Sequence, residues 1–214
     1  PKHKVLLDWI DRSKLFINYL SRNPNAIDFL REQIKYENSL TDEEYDELSY
    51  DEYIIYSKYV VNWCFLSGNP NAVKLLKDNI DMVYWPCLSS IENAIDLLEQ
   101  HQDKIDWWSI SSNPNAIKLL ENNLDKISWD KLSRNPSAIH LLKNNLDKID
   151  WCFLSENINA IELLRDNIDK ISWIELSTNP NAIDLLKEHQ DNIDWWSFSS
   201  NPSIFTDEPM PELL

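Results

Sequence analysis

The chain has 214 residues, with 36 Asp and Glu against 20 Lys and Arg, and its net charge of −16 repels a nucleic-acid backbone rather than attracting one. A hydrophobic share of 43% suffices for continuous packing, while a single glycine, Gly68, excludes a glycine-rich phosphate loop. No apolar run nears the roughly 18 residues of a membrane-spanning helix, so the sequence reads as an intracellular, soluble protein without a membrane partner.

The opening PKHKVLLDWI has neither an initiating Met nor a signal-peptide core, and reads as a trimmed or mature fragment. Residues 1–20 keep helical spacing, and Lys2, Lys4, Asp8, Asp11 and Arg12 suit a capping unit with one wet face. Ser21 then opens the phrase SRNPNAIDFL. From Ser21 to the next regular phrase at Ser67 is 46 residues, two periods of 22 plus two, which predicts one degenerate repeat at about 37–60. Thr41 and Glu44 make a capping box there. Carboxylates at Asp42, Glu43, Glu44, Asp46, Glu47, Asp51 and Glu52 interleave with Tyr45, Tyr50, Tyr53 and Tyr56. This is either a contact site for a basic partner, centred on Tyr45, Tyr50, Asp46 and Glu47, or the solvated face of a decayed repeat.

Regular repeats follow over about 61–204. Tryptophan returns every 22 residues, at Trp63, Trp85, Trp107, Trp129, Trp151, Trp173 and Trp195, and a serine follows four residues after each. A fixed period of this length marks an array whose repeats bury their apolar faces against neighbours. In the repeat that begins at Trp107, Asn113 before Pro114 starts a helix, with Pro in the first turn; Pro70, Pro136 and Pro180 hold the same place. Ala116, Ile117, Leu119 and Leu120 give the apolar stripe of that helix, and the recurring Ala marks a close helix approach. Asn123 is expected to stop it in a left-handed conformation. Asp125, with Asp81, Asp103, Asp147, Asp169 and Asp191, is expected to cap a second helix that carries the tryptophan. Two helices of eight to ten residues per repeat result, with the Trp row in the core.

Some features depart from the plain repeat. WCFLS, HQD and WWS recur 88 residues apart, four periods, a mark of block duplication or of a superhelical repeat. Trp108 and Trp196, each beside a periodic Trp, point about 100° away and are candidate partner contacts. His101 and His189 stand where other repeats have Asn, and are candidate contacts or plain helix C-terminal substitutions. Cys64 and Cys152 share one repeat position four repeats apart, so with Cys87 they read as unpaired core thiols. Residues 205–214, with Pro209 and Pro211, form a C-terminal tail. No metal-ligand spacing, nucleophile constellation or cofactor motif stands out, and Ser and Asp recur as capping residues in every repeat, which points away from an enzyme.

The phrases SRNPNAIDFL, SSNPNAIKLL and STNPNAIDLL, joined by N-L-D-K-I-S/D-W, resemble the tandem repeats of mimivirus-like giant DNA virus proteins across about 21–204. That resemblance implies a viral origin and no catalytic residues. The sequence as a whole predicts an all-α solenoid of about nine short helix pairs in a curved stack. It predicts a protein-binding scaffold that uses the variable positions Lys74, Asp96, Lys118, His140, Glu162 and Asp184. A self-assembling structural protein is the alternative, and a nucleic-acid reader is disfavoured by the charge.

Overall fold

A computed structural model describes residues 4–49 and 59–205; Tyr50 lies outside them. Sixteen short α-helices, interspersed with 3₁₀ turns, make up the regular structure of the described residues, which contain no strand. The residues pack into two compact bodies, 1–110 and 111–214, and the division falls inside a repeat, after Ile110.

In the second body a repeat runs as follows. Asp150 caps the helix Trp151–Glu156 by accepting from the Phe153 N–H at 3.0 Å. Asn157, extended at φ −72° and ψ 114°, ends it. Its Oδ1 accepts from the Asn159 N–H at 3.0 Å and turns the chain into the helix Ile161–Arg165. The 3₁₀ turn Ile168–Lys170 leads to the next tryptophan helix, Trp173–Thr178. The helices Trp129–Arg134, Trp151–Glu156, Trp173–Thr178 and Trp195–Phe198 pack one on the next. In the first body Trp63–Ser67, Trp85–Ser89 and Trp107–Ile110 do the same.

The helices of these repeats have four to six residues, shorter than the eight to ten expected. Twenty-two residues must hold two helices and two reversals, so each helix is little more than one turn, extended by 3₁₀ geometry, and depends on its neighbours for stability. The core is Ala and Leu: Ala138, Ala160 and Ala182, the second leucine of each Leu-Leu pair, and Leu132, Leu154 and Leu176 are all buried to about the same degree, at 0–1% exposure. The small alanine lets the helix axes close.

The predicted caps lie elsewhere. Asp81, Asp103, Asp147, Asp169 and Asp191 sit exposed inside 3₁₀ turns, and Asp125 in the matching turn. The capping side chains are three residues further on, at Asn62, Asp106, Asp150 and Asp194, directly before the tryptophan helices, where each accepts from an N–H of the first turn. The left-handed stop is absent too: no described residue, Gly68 included, has a positive φ. Asn79, Asn123, Asn145 and Asn167 close their helices with the side chain instead, each donating Nδ2 to the leucine carbonyl four residues back at 2.8–2.9 Å.

Two side chains per repeat stitch the stack. The serine after each tryptophan is a bridge rather than a cap. Ser133 Oγ donates to the Trp129 carbonyl at 2.7 Å and accepts from the Asp150 N–H at 3.0 Å; Ser155 and Ser177 do the same with Trp151 and Ser172, and with Trp173 and Asp194. The asparagine of the Asn-Pro phrase donates Nδ2 to two carbonyls of the previous repeat. Asn157 reaches Ser133 at 2.9 Å and Asn135 at 3.0 Å, and Asn135, Asn179 and Asn201 repeat the pattern. Buried carbonyls are costly unless paired, so one amide satisfies two of them per repeat.

This ladder corrects the reading of 37–60 as a degenerate repeat. Asn69 Nδ2 bonds the Ser21 carbonyl at 3.0 Å and the Asn23 carbonyl at 3.1 Å, and the Asn62 N–H bonds Ser21 Oγ at 3.0 Å. The repeat beginning at Trp63 therefore stacks directly on the one containing Ser21. The intervening residues form no rung among those described; they are an insertion, carrying the helix Asp42–Ser49.

Candidate functional site

The tryptophan row does not form the core. Trp63, Trp85, Trp107, Trp129, Trp151 and Trp173 are half-buried, and Trp195 is 63% exposed. The ring faces instead receive groups from the following loop. Lys148 Nζ lies 4.6 Å over Trp129 and Lys170 Nζ 4.8 Å over Trp151, each lysine 19 residues after its tryptophan. The rings of His101 and His189, 16 residues after theirs, lie 5.3 Å from Trp85 and 5.4 Å from Trp173, tilted by about 50°. The two histidines are thus half-buried packing residues at the places where asparagine closes other helices. Trp108 and Trp196 are exposed, at 57% and 88%, as their position beside a periodic tryptophan requires.

The insertion joins the array at a polar neck. Glu37, only 6% exposed, accepts at Oε1 from the Val61 N–H and from Gln33 Nε2, both at 3.0 Å, and Gln33 Nε2 also donates to the Tyr59 carbonyl at 3.1 Å. Both ends of the insertion are thereby held to the helix Ile27–Glu37. The expected capping box forms: Glu44 accepts from the Thr41 N–H and hydroxyl, both at 2.9 Å, while Thr41 Oγ1 accepts from the Glu44 N–H at 3.3 Å. Between the insertion helix and the array lies a hollow of about 380 Å³, walled by Glu37, Asn38, Leu40, Asp42 and Tyr45 on one side and Trp63, Asn79 and Met82 on the other. Tyr45 is half-buried, and Asp46 and Glu47 are exposed beside it. The Tyr45 hydroxyl is held above its usual pKa, first by burial and then by the charges of Glu37 and Asp46. Sequence reasoning found Tyr45 but missed Glu37, Trp63 and Met82 as its neighbours, because only the folded neck brings them together.

Burial also raises the Glu37 carboxyl above its ordinary 4.5, against the lowering effect of the Gln33 and Val61 hydrogen bonds. The folded form then retains a proton that the unfolded chain gives up. Its contribution to stability is full below about pH 4.5 and is lost as pH rises through the raised value. Glu37→Gln keeps the acceptor and removes the charge, so its melting temperature should gain on the parent more at pH 8 than at pH 4. Thermal melts at the two pH values check this; an advantage that grows toward acid pH would make the ionised carboxylate a net stabiliser.

The cysteines differ from their sequence reading. Cys64 Sγ and Cys87 Sγ meet at 3.4 Å across consecutive repeats, and Cys152 is exposed. Burial, then the Cys64 thiol, pushes Cys87 up to about 11. Since the thiolate is the nucleophile, iodoacetamide at pH 8 should label Cys152 first and Cys87 last, as peptide mass spectrometry over time would show.

Among the described residues no group of three His, Cys, Asp or Glu side chains could hold a metal ion, and no helix is long and apolar enough to cross a membrane. No family model, curated protein or solved structure matches the chain.

Proposed function

We propose that this chain is a non-enzymatic scaffold or adaptor that binds a protein partner, of host or viral origin, through exposed positions that change from repeat to repeat. The observation that supports this most is the contrast between ladder and surface. Ser, Asn, Ala and Leu are nearly fixed in the stack, while the row Lys74, Asp96, Lys118, His140, Glu162 and Asp184 is exposed throughout and changes charge along the chain. A surface that varies on a fixed frame is how repeat arrays acquire partners. The net charge of −16 favours a partner with a basic surface. The resemblance of the phrases to giant-virus repeats supports a viral source, with the host cytoplasm or the virion as its place.

The test is affinity purification from host-like cells with the parent chain beside a Trp108→Ala/Trp196→Ala variant whose fold is checked by circular dichroism. A specific protein captured by the parent and lost with the variant supports the adaptor. A self-assembling structural protein is the second reading, favoured by the exposure of Trp195, whose counterparts receive a neighbouring repeat. Recovery of the chain's own copies alone, with mass that rises with concentration, would establish that reading instead.

A further inference from the structure

We propose that the hollow between Trp63 and the helix Asp42–Ser49 is a binding site for a lysine side chain presented by a protein partner. The protein supplies its own reference for this chemistry. On Trp129 and Trp151 the residue 19 positions later is a lysine whose ammonium lies over the indole at 4.6 and 4.8 Å. Of the aromatic faces, the indole of tryptophan attracts a cation best. At Trp63 the same position is Met82, which carries no charge, and the position that holds a histidine over Trp85 and Trp173 is Asn79. Among the described residues no cation or ring lies against Trp63, and it is here that a hollow of about 380 Å³ opens.

The rest of the wall suits the missing cation. Tyr45 adds a second aromatic ring, and Asp42 and Glu37 add carboxylates. Both hydrogen bonds to Glu37 fall on Oε1, and Oε2 receives none from a described residue. The insertion helix contributes Asp42, Glu43, Glu44, Asp46 and Glu47 and no basic residue, so the helix that walls the hollow does not provide the cation itself. Lysine is preferred to arginine on the protein's own pairings: Trp129 and Trp151 each take lysine, whereas Arg12, Arg22 and Arg134 lie over Phe29, Phe65 and Phe153, the last shared with Lys131. The site depends on the adaptor reading for the partner that carries the lysine, but not for the chemistry of the hollow.

The test follows the Trp63 indole N–H resonance in the intact chain during titration with Nα-acetyl-lysine amide, with the norleucine and arginine amides as neutral and guanidinium probes. The expected result is saturable movement of that resonance with a dissociation constant on the order of 1 mM. Lysine should bind more tightly than arginine, norleucine should have no effect, and added salt should weaken binding. Met82→Lys restores the ladder's own cation and should abolish the response, and Asp42→Asn should weaken it by roughly two- to fivefold. Tyr45→Ala, on the insertion helix and outside the stack, should weaken it with the far-ultraviolet circular dichroism unchanged. A Trp63 resonance that lysine does not move, that norleucine moves equally, or that responds as before in Met82→Lys overturns the site. Partner capture separates the two ideas. Lysine binding at Trp63 with no protein recovered leaves the site standing and removes the adaptor; a partner recovered without lysine binding does the reverse.

Discussion

Asn157→Ala should destabilise the 111–214 body by roughly 2–4 kcal/mol, as should the equivalent changes at Asn135 and Asn179, which make the same three bonds. The side chain, 2% exposed, makes three bonds: Oδ1 caps the Asn159 N–H, and Nδ2 holds the carbonyls of Ser133 and Asn135. Alanine removes the Nδ2 donor from the Ser133 carbonyl, at about 1–3 kcal/mol, and a cap worth about 1, while the Asn135 carbonyl keeps the Ala138 N–H at 3.1 Å. Asn157→Asp separates the two functions. It keeps the cap acceptor but has no amide to donate, so it should retain most of the alanine variant's loss. Urea unfolding followed by circular dichroism measures both. An aspartate variant as stable as the parent would mean that the cap, not the donated pair, sustains the joint.

Leu164→Ala should follow, at roughly 2–5 kcal/mol, and should exceed Trp151→Ala although tryptophan is the larger residue. Leu164 is fully buried and its removal leaves an enclosed void. Trp151 is half-exposed, with Lys170 on its face, so its loss opens a groove that water enters. Ranking the two by urea midpoint is a direct check on where the core lies. A Trp151→Ala cost above that of Leu164→Ala would place the main packing at the indole row. Since each repeat touches only its neighbours, either loss is felt chiefly at the adjoining joints.

The helical, repeating character of the fold was legible in the 22-residue period, in the Asn-Pro starts and in the Ala and Leu stripe. What escaped had specific causes. Period marks equivalent positions and says nothing of depth, so the most conspicuous residue was placed in a core that leucine occupies. The asparagine was recognised as a cap, a role that Ser or Asp fills equally well; its near-constancy as Asn at 69, 113, 135, 157, 179 and 201 was the unread sign that an amide donor is needed. The separation of 46 residues between Ser21 and Ser67 fits two periods plus two as well as one period plus an insertion of 24, and only the bond from Asn69 to Ser21 distinguishes them. Cys64 and Cys87, one period plus one apart, were readable as neighbours, but comparison of equivalent positions drew attention to Cys64 and Cys152 instead. The hollow at Trp63 was half legible. Its acidic, tyrosine-bearing wall was evident, whereas the tryptophan opposite it depends on how the insertion folds back.

The bond from Asn69 to Ser21 also bears on how the molecule forms. Rungs in the second body join residues 22 to 24 apart, so ordering can begin at any pair of repeats and spread to the next. The joint at Asn69 spans 46 and 48 residues, twice the usual loop, at about 0.6 kcal/mol of additional closure entropy per doubling. Within the first body that joint should therefore close after the rungs from Ser67 onward. The amide hydrogens that depend on it, such as that of Asn62, should be among the first to exchange with solvent.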